Sequence, residues 1–146
     1  MPKTLADIMT TDLVTLNEED NLRQLLDGMD RFRVRHLPVV DGGRLVGLIT
    51  HRDVLRFASS VLDRGAADSG REARLLEETF VHAVMRRDVR SAAPDTRILQ
   101  AARIMMEGKL GCLPIVEGER LVGIVTDHDL LRFLTTYLEE TEGGAR

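Results

Sequence analysis

The sequence contains few aromatic residues and a single cysteine. Its 146 residues include no tryptophan, one tyrosine and four phenylalanines, so an aromatic stacking platform for single-stranded nucleic acid is not predicted. The net charge is −4, with 20 basic and 24 acidic side chains. This argues against nucleic acid as a partner, because phosphate binding depends on clustered Lys and Arg. The lone cysteine, Cys112, excludes an internal disulfide and predicts a reducing compartment, the cytoplasm.

Long apolar segments are also missing. No apolar run reaches the roughly 18 to 20 residues of a membrane-spanning helix, and residues 1–12 lack the apolar core of a signal peptide. We therefore expect no membrane insertion. Apolar residues make up 43% of the sequence and charged residues 30%, which is close to the average of globular proteins. A chain of this length can bury a core without help from a metal or a disulfide.

The common motifs of catalytic sites are absent as well. The sequence contains neither a Gly-x-x-x-x-Gly-Lys phosphate loop nor a Gly-x-Ser-x-Gly nucleophile elbow. Its histidines lack the spacing of metal-binding pairs; they are His36, His51, His82 and His128. Cys112 lies in an apolar run, which favours a buried, inert thiol over a nucleophile. We expect no enzymatic activity, no metal site and no obligatory cofactor.

An internal repeat covers almost the whole chain. The segment HLPVVDGGRLVGLITHRDVLRF at residues 36–57 recurs as CLPIVEGERLVGIVTDHDLLRF at residues 112–133, so that Asp53 corresponds to Asp129, 76 positions later. A repeat of this kind predicts that each copy is one structural unit.

The repeat predicts a domain organisation and a fold class. We assign the first repeat to residues 4–61, a helical connector to 62–79, the second repeat to 80–138 and a flexible C-terminal tail to 139–146. Each repeat predicts the element order β-α-β-β-α, in the fold class α/β (α+β). Because one repeat has too few apolar faces to be stable alone, the two are expected to pack through their sheets with pseudo-two-fold symmetry.

Local patterns place the elements inside each repeat. Apolar residues at i, i+3, i+4 and i+7 predict the first helix; they are Leu22, Leu25, Leu26 and Met29, and then Ile98, Ala101, Ala102 and Met105. Two apolar runs joined by a glycine-containing loop predict a β-hairpin, and a second helix follows from His51 and from Asp127. Short first strands are predicted at residues 13–15 and 89–91. Asp20 and Thr96 are the predicted N-caps of the first helices.

Each hairpin leads into a Thr-x-x-Asp segment, Thr50 to Asp53 and Thr126 to Asp129. One interpretation is a capping box, in which Thr and Asp satisfy backbone N–H groups at the helix start. The other is a ligand site, because a helix N-terminus suits phosphate or hydroxyl oxygens and a carboxylate can accept two hydrogen bonds. The two roles are compatible. Glycines on the preceding strands, at residues 47 and 123, allow a close approach to the backbone.

These segments resemble a known family. The first repeat contains a Leu-Pro-Val-Val strand and a Gly-Leu-Ile-Thr-His-Arg-Asp run, and the second contains Leu-Pro-Ile-Val and Gly-Ile-Val-Thr-Asp-His-Asp. Together these segments are similar to a pair of cystathionine β-synthase (CBS) domains, also called a Bateman module. The resemblance extends from about residue 4 to residue 138. It implies clefts between the repeats for adenosine-containing ligands, and a regulatory sensor rather than a catalyst.

The resemblance also implies roles for particular residues. The aspartates would bind the ribose hydroxyls, beside Thr15 and Ser91 at the ends of the first strands. Basic residues before and after the hairpin would reach a phosphate chain; they are Arg35, His36 and Arg52. The second repeat has Gly111, Cys112 and His128 at these positions, so the two clefts are expected to be unequal. Residues that would line an adenine slot, mostly with ordinary core character, are Val14, Leu37, Pro38, Leu113 and Pro114.

Three functions remain open at this point. The first is a regulatory protein that binds AMP, ADP or ATP, the last accompanied by Mg²⁺, and signals occupancy to an enzyme, transporter or kinase. An S-adenosylmethionine sensor is a variant of it. The second is a ligand-free interaction module, and the third is an enzyme of unrecognised chemistry. The resemblance also implies a homodimer through apolar helix faces; the residues concerned are Val54, Leu55, Leu130, Leu131 and Leu134.

Overall fold

The computed structural model describes residues 1–62 and 69–144. It divides the chain into two compact units. The first-repeat unit is Val14–Val89. The second-repeat unit combines Met1–Leu13 with Arg90–Arg146. Both are mixed α+β structures, and the division assigns the N-terminal segment of the chain to the unit that holds the second hairpin.

The first-repeat unit consists of a three-stranded sheet with helices and a 3₁₀ turn. Strand β1 (Leu16–Asn17) pairs in parallel with β2 (His36–Asp41), and β2 pairs antiparallel with β3 (Arg44–Thr50). The turn between β2 and β3 is two glycines, Gly42 and Gly43, with φ of 59° and 85°. Positive φ at both central residues is the geometry of a tight hairpin turn, which glycine adopts without strain. The elements in order are β1 (Leu16–Asn17), α2 (Leu22–Phe32), β2 (His36–Asp41), β3 (Arg44–Thr50), α3 (His51–Leu62), α4 (Ser69–Glu78) and the 3₁₀ turn Val81–Ala83.

The second-repeat unit has the same plan, except that a single β-bridge replaces the first strand. Strands β4 (Cys112–Glu117) and β5 (Arg120–Thr126) form an antiparallel hairpin with the same register irregularity as β2 and β3. In place of a first strand, Ala92 makes a single parallel bridge to Ile115. Its elements are α1 (Leu5–Ile8), α5 (Ile98–Gly108), β4 (Cys112–Glu117), β5 (Arg120–Thr126) and α6 (Asp127–Gly143).

Each unit has its own apolar core. In α2 the side chains of Leu22, Leu25 and Met29 are buried, and in α5 those at the corresponding positions are buried as well, Ile98, Ala101 and Met105. These are three of the four apolar positions that predict each helix, and the fourth is half-buried. The predicted helices and hairpins are therefore confirmed, and each helix packs its apolar face into the core of its unit.

A segment near the start of each predicted repeat completes the unit of the other repeat. Residues 9–10 lie against β5, where Thr10 and Ile124 exchange two backbone hydrogen bonds of 2.9 and 3.0 Å. Residues 85–86 lie against β3, where Arg86 and Leu48 exchange two bonds of 2.9 Å. Thr10 corresponds to Arg86, and Leu48 to Ile124, under the 76-residue offset of the repeat. The same backbone contact is therefore present in both units.

Two glycines make this contact possible. A Cβ atom built on Gly47 would lie 2.5 Å from Met85 Sδ and 3.1 Å from the Arg86 carbonyl oxygen. On Gly123 it would lie 2.6 Å from Met9 Sδ. The close approach that the sequence predicts at these glycines is therefore made by the protein's own chain.

Some local predictions are wrong. The first strand lies at Leu16–Asn17 rather than residues 13–15, and residues 89–91 form no strand. The N-cap of α2 is Asn21, whose side chain accepts from Gln24 N; Asp20 instead accepts from Asn17 N at 2.8 Å. The cap position of α5 is Arg97, without a side-chain cap, rather than Thr96.

Two further predictions concern the connector and the tail. Helix α3 continues to Leu62 and α4 spans Ser69–Glu78, so the described residues at both ends of the predicted helical connector lie in helices. Residues 63–68 of the connector lie outside the described residues. Residues 139–143, which the sequence assigns to a C-terminal tail, belong to α6.

Candidate functional site

In the first-repeat unit, the candidate site is the junction of β3 and α3, here called the first corner (residues 50–53). Thr50 ends β3 and α3 begins at the next residue. The Asp53 N–H donates to Thr50 Oγ1 at 3.2 Å, and the Thr50 N–H donates to Asp53 Oδ2 at 3.0 Å. This reciprocal pair is the predicted capping box. It fixes the carboxylate of Asp53, which is 8% exposed, against the start of the helix.

The second-repeat unit has the same arrangement at the second corner (residues 126–129). The Asp129 N–H donates to Thr126 Oγ1 at 3.2 Å, and the Thr126 N–H donates to Asp129 Oδ2 at 2.9 Å. The Thr126 hydroxyl also lies 3.2 Å from Oδ2. Asp129 is 7% exposed. Both capping boxes use the Oδ2 atom, which leaves Oδ1 of each aspartate for another partner.

That partner differs between the two corners. At the first corner, Arg86 Nε and Nη2 donate to Asp53 Oδ1 at 3.2 and 3.1 Å. At the second corner, no described residue donates to Asp129 Oδ1. No buried side-chain oxygen among the described residues lacks a partner, so Asp129 Oδ1 reaches solvent. The second carboxylate is therefore open where the first is ion-paired.

Arg86 is a site residue that the sequence reasoning missed. It is 33 positions from Asp53 in the chain, and the predicted domain boundaries place it in the other repeat. The available signal is the repeat alignment itself, in which Arg86 stands where the first repeat has Thr10. That difference marks a departure from the repeat, but it does not indicate which residue the arginine contacts.

The start of β2 lies beside the first corner. His36 pairs with Thr50, and the His51 N–H donates to the Arg35 carbonyl at 2.9 Å. Because β1 runs parallel to β2, with Leu16 opposite Val39, the exposed Thr15 and half-buried Val14 come to the same edge of the sheet. The structure thus brings the predicted hydroxyl and basic positions of the first repeat to one edge.

Arg35 and Arg52 supply exposed positive charge there. Both side chains are exposed, Arg35 just before β2 and Arg52 in the first turn of α3. His36 is half-buried and has an interaction of its own. A guanidinium near a helix N-terminus adds to the positive potential of the free N–H groups. The first corner can therefore attract an anion.

The corresponding edge of the second-repeat unit carries less positive charge. Cys112 pairs with Thr126, and the Asp127 N–H donates to the Gly111 carbonyl at 3.0 Å. Ser91 and His128 are exposed. Cys112 is buried, and this burial, followed by the charge of Asp127, raises the pKa of its thiol to about 12. The predicted burial of this thiol is therefore confirmed, and a raised pKa leaves little of the reactive thiolate.

The residues proposed for an adenine slot belong largely to the cores. Four of the five are fully buried; they are Leu37, Pro38, Leu113 and Pro114. Only backbone atoms of these residues could reach a ligand without repacking. The Pro114 carbonyl already accepts from Ala92 N at 3.0 Å.

A cavity of about 230 Å³ adjoins the second corner. Asp129 lies in its wall, with Arg132 and the aromatic rings of Phe133 and Tyr137. Asp7 lines the other side; the backbone N–H groups of Lys3 and Thr4 hold the pKa of that carboxyl below its usual value. The cavity is below the roughly 300 Å³ lower limit of typical ligand pockets, so it can hold part of a nucleoside.

Within residues 1–62 and 69–144, no three His, Cys, Asp or Glu side chains converge as a metal site would require. Over the same residues, none of the helices combines the length and apolar character needed to cross a membrane.

Comparison with known proteins identifies relatives of both repeats. The model of the CBS domain family matches residues 5–60 and 81–136. A Vibrio cholerae structure described as an acetoin utilization protein, AcuB, is 33% identical and covers 96% of each chain, with a TM-score of 0.80. Protein MJ1225 of Methanocaldococcus jannaschii is 32% identical over 128 residues, which is 87% of this chain. This chain spans 45% of the length of MJ1225.

Two solved structures with the same fold contain adenosine compounds. CBSX2 in complex with AMP is 23% identical, with a TM-score of 0.77 over 93% of this chain and 98% of that chain. The CBS domain pair of protein MJ0100 in complex with 5′-methylthioadenosine and S-adenosyl-L-methionine is 24% identical, with a TM-score of 0.74, over 93% of this chain and 99% of that chain. At these identities the similarity establishes the fold alone.

Proposed function

Because this chain belongs to the CBS domain family, with two copies of the domain, we propose that it is a regulatory protein that binds an adenosine-containing ligand at its strand–helix corners. Occupancy of these corners would be transmitted to a partner protein, an enzyme, transporter or kinase. The observation that carries the proposal is the duplicated carboxylate, held by Oδ2 in the same capping box at both corners.

The geometry of the carboxylate supports ribose as the group that is bound. The capping box immobilises each aspartate through Oδ2, while Oδ1 accepts from Arg86 at the first corner and reaches solvent at the second. An ionised carboxylate oxygen accepts hydrogen bonds from hydroxyl donors, and adjacent hydroxyls of a ribose supply two such donors. At the second corner Oδ1 reaches solvent and the carboxylate lines a cavity, so a hydroxyl donor does not have to displace a side chain from this oxygen.

The exposed cations favour a phosphorylated ligand at the first corner. Arg35 and Arg52 lie at the same sheet edge as Asp53, and an arginine fork can hold two phosphate oxygens. Titration of Arg35→Ala with adenosine, AMP and ATP tests this preference. We expect a larger loss of affinity for AMP and ATP than for adenosine, and an equal loss for all three would contradict it.

S-Adenosylmethionine is the alternative ligand within the same class. It presents the same ribose but carries a sulfonium, an ammonium and one carboxylate in place of a phosphate chain, so the exposed arginines of the first corner would favour it less than AMP or ATP. The second corner, with His128 and the cavity residue Arg132, is the better site for it. A ligand-free interaction module is the alternative of a different class, in which the Thr-x-x-Asp segments act as capping boxes alone.

Calorimetric titration of corner variants distinguishes these functions. We expect wild-type protein to bind an adenosine-containing ligand, and Asp53→Ala and Asp129→Ala each to weaken one site by about 10- to 100-fold, since a hydrogen bond to a charged group contributes about 1.5 to 3 kcal/mol. A thermal-shift panel of AMP, ADP, ATP, S-adenosylmethionine and NAD gives the first screen, because a ligand at 100 times its Kd adds about 2.7 kcal/mol to stability.

The matched control is Asn21→Ala. Asn21 and Gln24 form a capping box of the same kind at the start of α2, so this variant loses a cap, worth about 1 kcal/mol, at a helix outside the corners. It should retain full affinity. Unchanged affinity in both aspartate variants, or no binding of any adenosine-containing compound at millimolar concentration, would favour the interaction module.

A second copy of the chain is the proposed partner of the exposed helix face. Leu131, Leu134 and Leu138 lie on α6 and are 61%, 47% and 42% exposed, at a spacing that places them along one side of the helix. Leu55 of α3 is 56% exposed. Light scattering should give a homodimer of the 16.3 kDa chain, and Leu131→Asp should dissociate it. A monomer at high micromolar concentration would contradict the proposal.

A further inference from the structure

The side chains that face the two aspartates differ although the surrounding backbone is the same. Arg86 and Thr10 occupy equivalent places, each exchanging two backbone hydrogen bonds with the strand that ends at a corner. The distances are 2.9 Å twice for Arg86 and 2.9 and 3.0 Å for Thr10. At this position the two corners therefore differ in one side chain, arginine or threonine, within an equivalent backbone frame.

The arginine occupies the aspartate oxygen that the proposed function assigns to the ligand. Both donors of Arg86 converge on Oδ1 of Asp53, and Oδ2 is already used by the capping box. A ribose hydroxyl at the first corner must therefore compete with the guanidinium for Oδ1. At the second corner the shorter Thr10 makes no such contact, and Oδ1 of Asp129 reaches solvent.

We infer that Arg86 is a specificity-determining residue that makes the two corners unequal toward an unphosphorylated nucleoside. This inference rests on the proposed function. It predicts that adenosine binds the second corner more tightly than the first. Arg86 is 57% exposed, and ion pairs with an exposed partner contribute at most about 1 kcal/mol, so the expected difference in affinity is up to about five-fold.

The test measures adenosine binding to one corner at a time. In the Asp129→Ala background, the first corner alone retains its carboxylate. Adding Arg86→Thr, which installs the residue of the other repeat, should raise adenosine affinity about three- to five-fold. Arg87→Thr is the matched control, because this neighbouring arginine is exposed and, among the residues that the structure describes, its side chain donates only to the His82 carbonyl, at 3.4 Å. Circular dichroism verifies that each variant is folded.

The reciprocal exchange uses the second corner. In the Asp53→Ala background, adding Thr10→Arg should weaken adenosine binding by a similar factor, because an arginine then faces Asp129. This variant keeps the inference testable if Arg86→Thr or Asp129→Ala fails to fold.

The possible results separate the inference from the proposed function. If Asp53→Ala binds adenosine but neither exchange changes affinity, the inference is overturned and the proposed function stands. If Arg86→Thr weakens AMP binding without changing adenosine binding, Arg86 is a phosphate ligand and the inference is also overturned. If no protein in the series, wild type included, binds adenosine, AMP or S-adenosylmethionine, the proposed function fails and the inference fails with it.

Discussion

Replacing Gly47 by alanine should destabilise the first-repeat unit substantially. The new Cβ atom would lie 2.5 Å from Met85 Sδ, 3.0 Å from Met85 Cγ and 3.1 Å from the Arg86 carbonyl oxygen, against an optimal separation of about 3.5 to 4.0 Å between carbon atoms. The segment cannot withdraw freely, because Arg86 and Leu48 are joined by two backbone hydrogen bonds of 2.9 Å. The Met85 side chain must therefore shift, and the contact with the Arg86 carbonyl oxygen is relieved only if these backbone bonds lengthen.

The size of the effect follows from these contacts. Forcing one extra carbon into a packed site costs about 1 to 3 kcal/mol, and weakening a backbone hydrogen bond contributes about 0.5 to 1.5 kcal/mol. We expect a loss of about 2 kcal/mol in the free energy of unfolding, which corresponds to a fall in Tm of about 4 to 8 °C for a chain of this size. Urea denaturation with an unchanged m-value measures it.

Two further variants identify the cause. Gly28→Ala is the control, because Gly28 lies within α2 and a Cβ there meets no atom within 4 Å; it should gain about 0.5 to 1 kcal/mol from helix propensity. Met85→Ala combined with Gly47→Ala should lose less stability than the sum of the single losses, since the smaller side chain relieves the overlap. Wild-type stability in Gly47→Ala would refute the proposed close contact.

Other perturbations test separate parts of the structure. Cys112→Ala should lose less stability at alkaline pH than the wild type. Because the pKa of the thiol is raised to about 12 from 9.0, the contribution of the thiol to stability is complete below about pH 9 and is lost as the pH rises toward 12. Denaturation at pH 8 to 11 in which the stability of wild type and variant falls with the same slope would contradict this. Asn21→Ala should lower the free energy of unfolding by about 1 kcal/mol, whereas Arg97→Asn, which supplies a cap side chain that α5 lacks, should raise it by about 0.5 to 1 kcal/mol. Thermal melts in which Asn21→Ala is the more stable of the two variants would show that the caps are misassigned.

The spacing of residues along the sequence was sufficient to predict the elements that depend on local contacts. The helices α2 and α5 follow from apolar residues at i, i+3, i+4 and i+7, because that spacing places them on one buried face. The capping boxes at the corners follow from Thr-x-x-Asp, since both partners lie within one turn. The cap of α2 could have been predicted in the same way, because Asn21 and Gln24 have the spacing of a capping box whereas Asp20 does not.

The remaining features depend on contacts that no local pattern encodes. Strand β1 has two residues and its counterpart is a single bridge at Ala92, too short for an alternation of apolar and polar residues to be visible. The return of residues 85–86 to β3 is a long-range pairing, so the sequence identified Gly47 as a place of close approach without identifying Met85 as the group that approaches. The Arg86–Asp53 ion pair depends on that return and was missed for the same reason.

A crystal structure of the protein grown with adenosine tests the central claim most directly. We expect the ribose hydroxyls of a bound adenosine to lie about 2.5 to 3.0 Å from Asp129 Oδ1, with the Thr126 N–H still donating to Oδ2. Adenosine bound elsewhere, or crystals grown at saturating adenosine in which neither aspartate contacts a ligand, would contradict the account and leave both corners as helix caps.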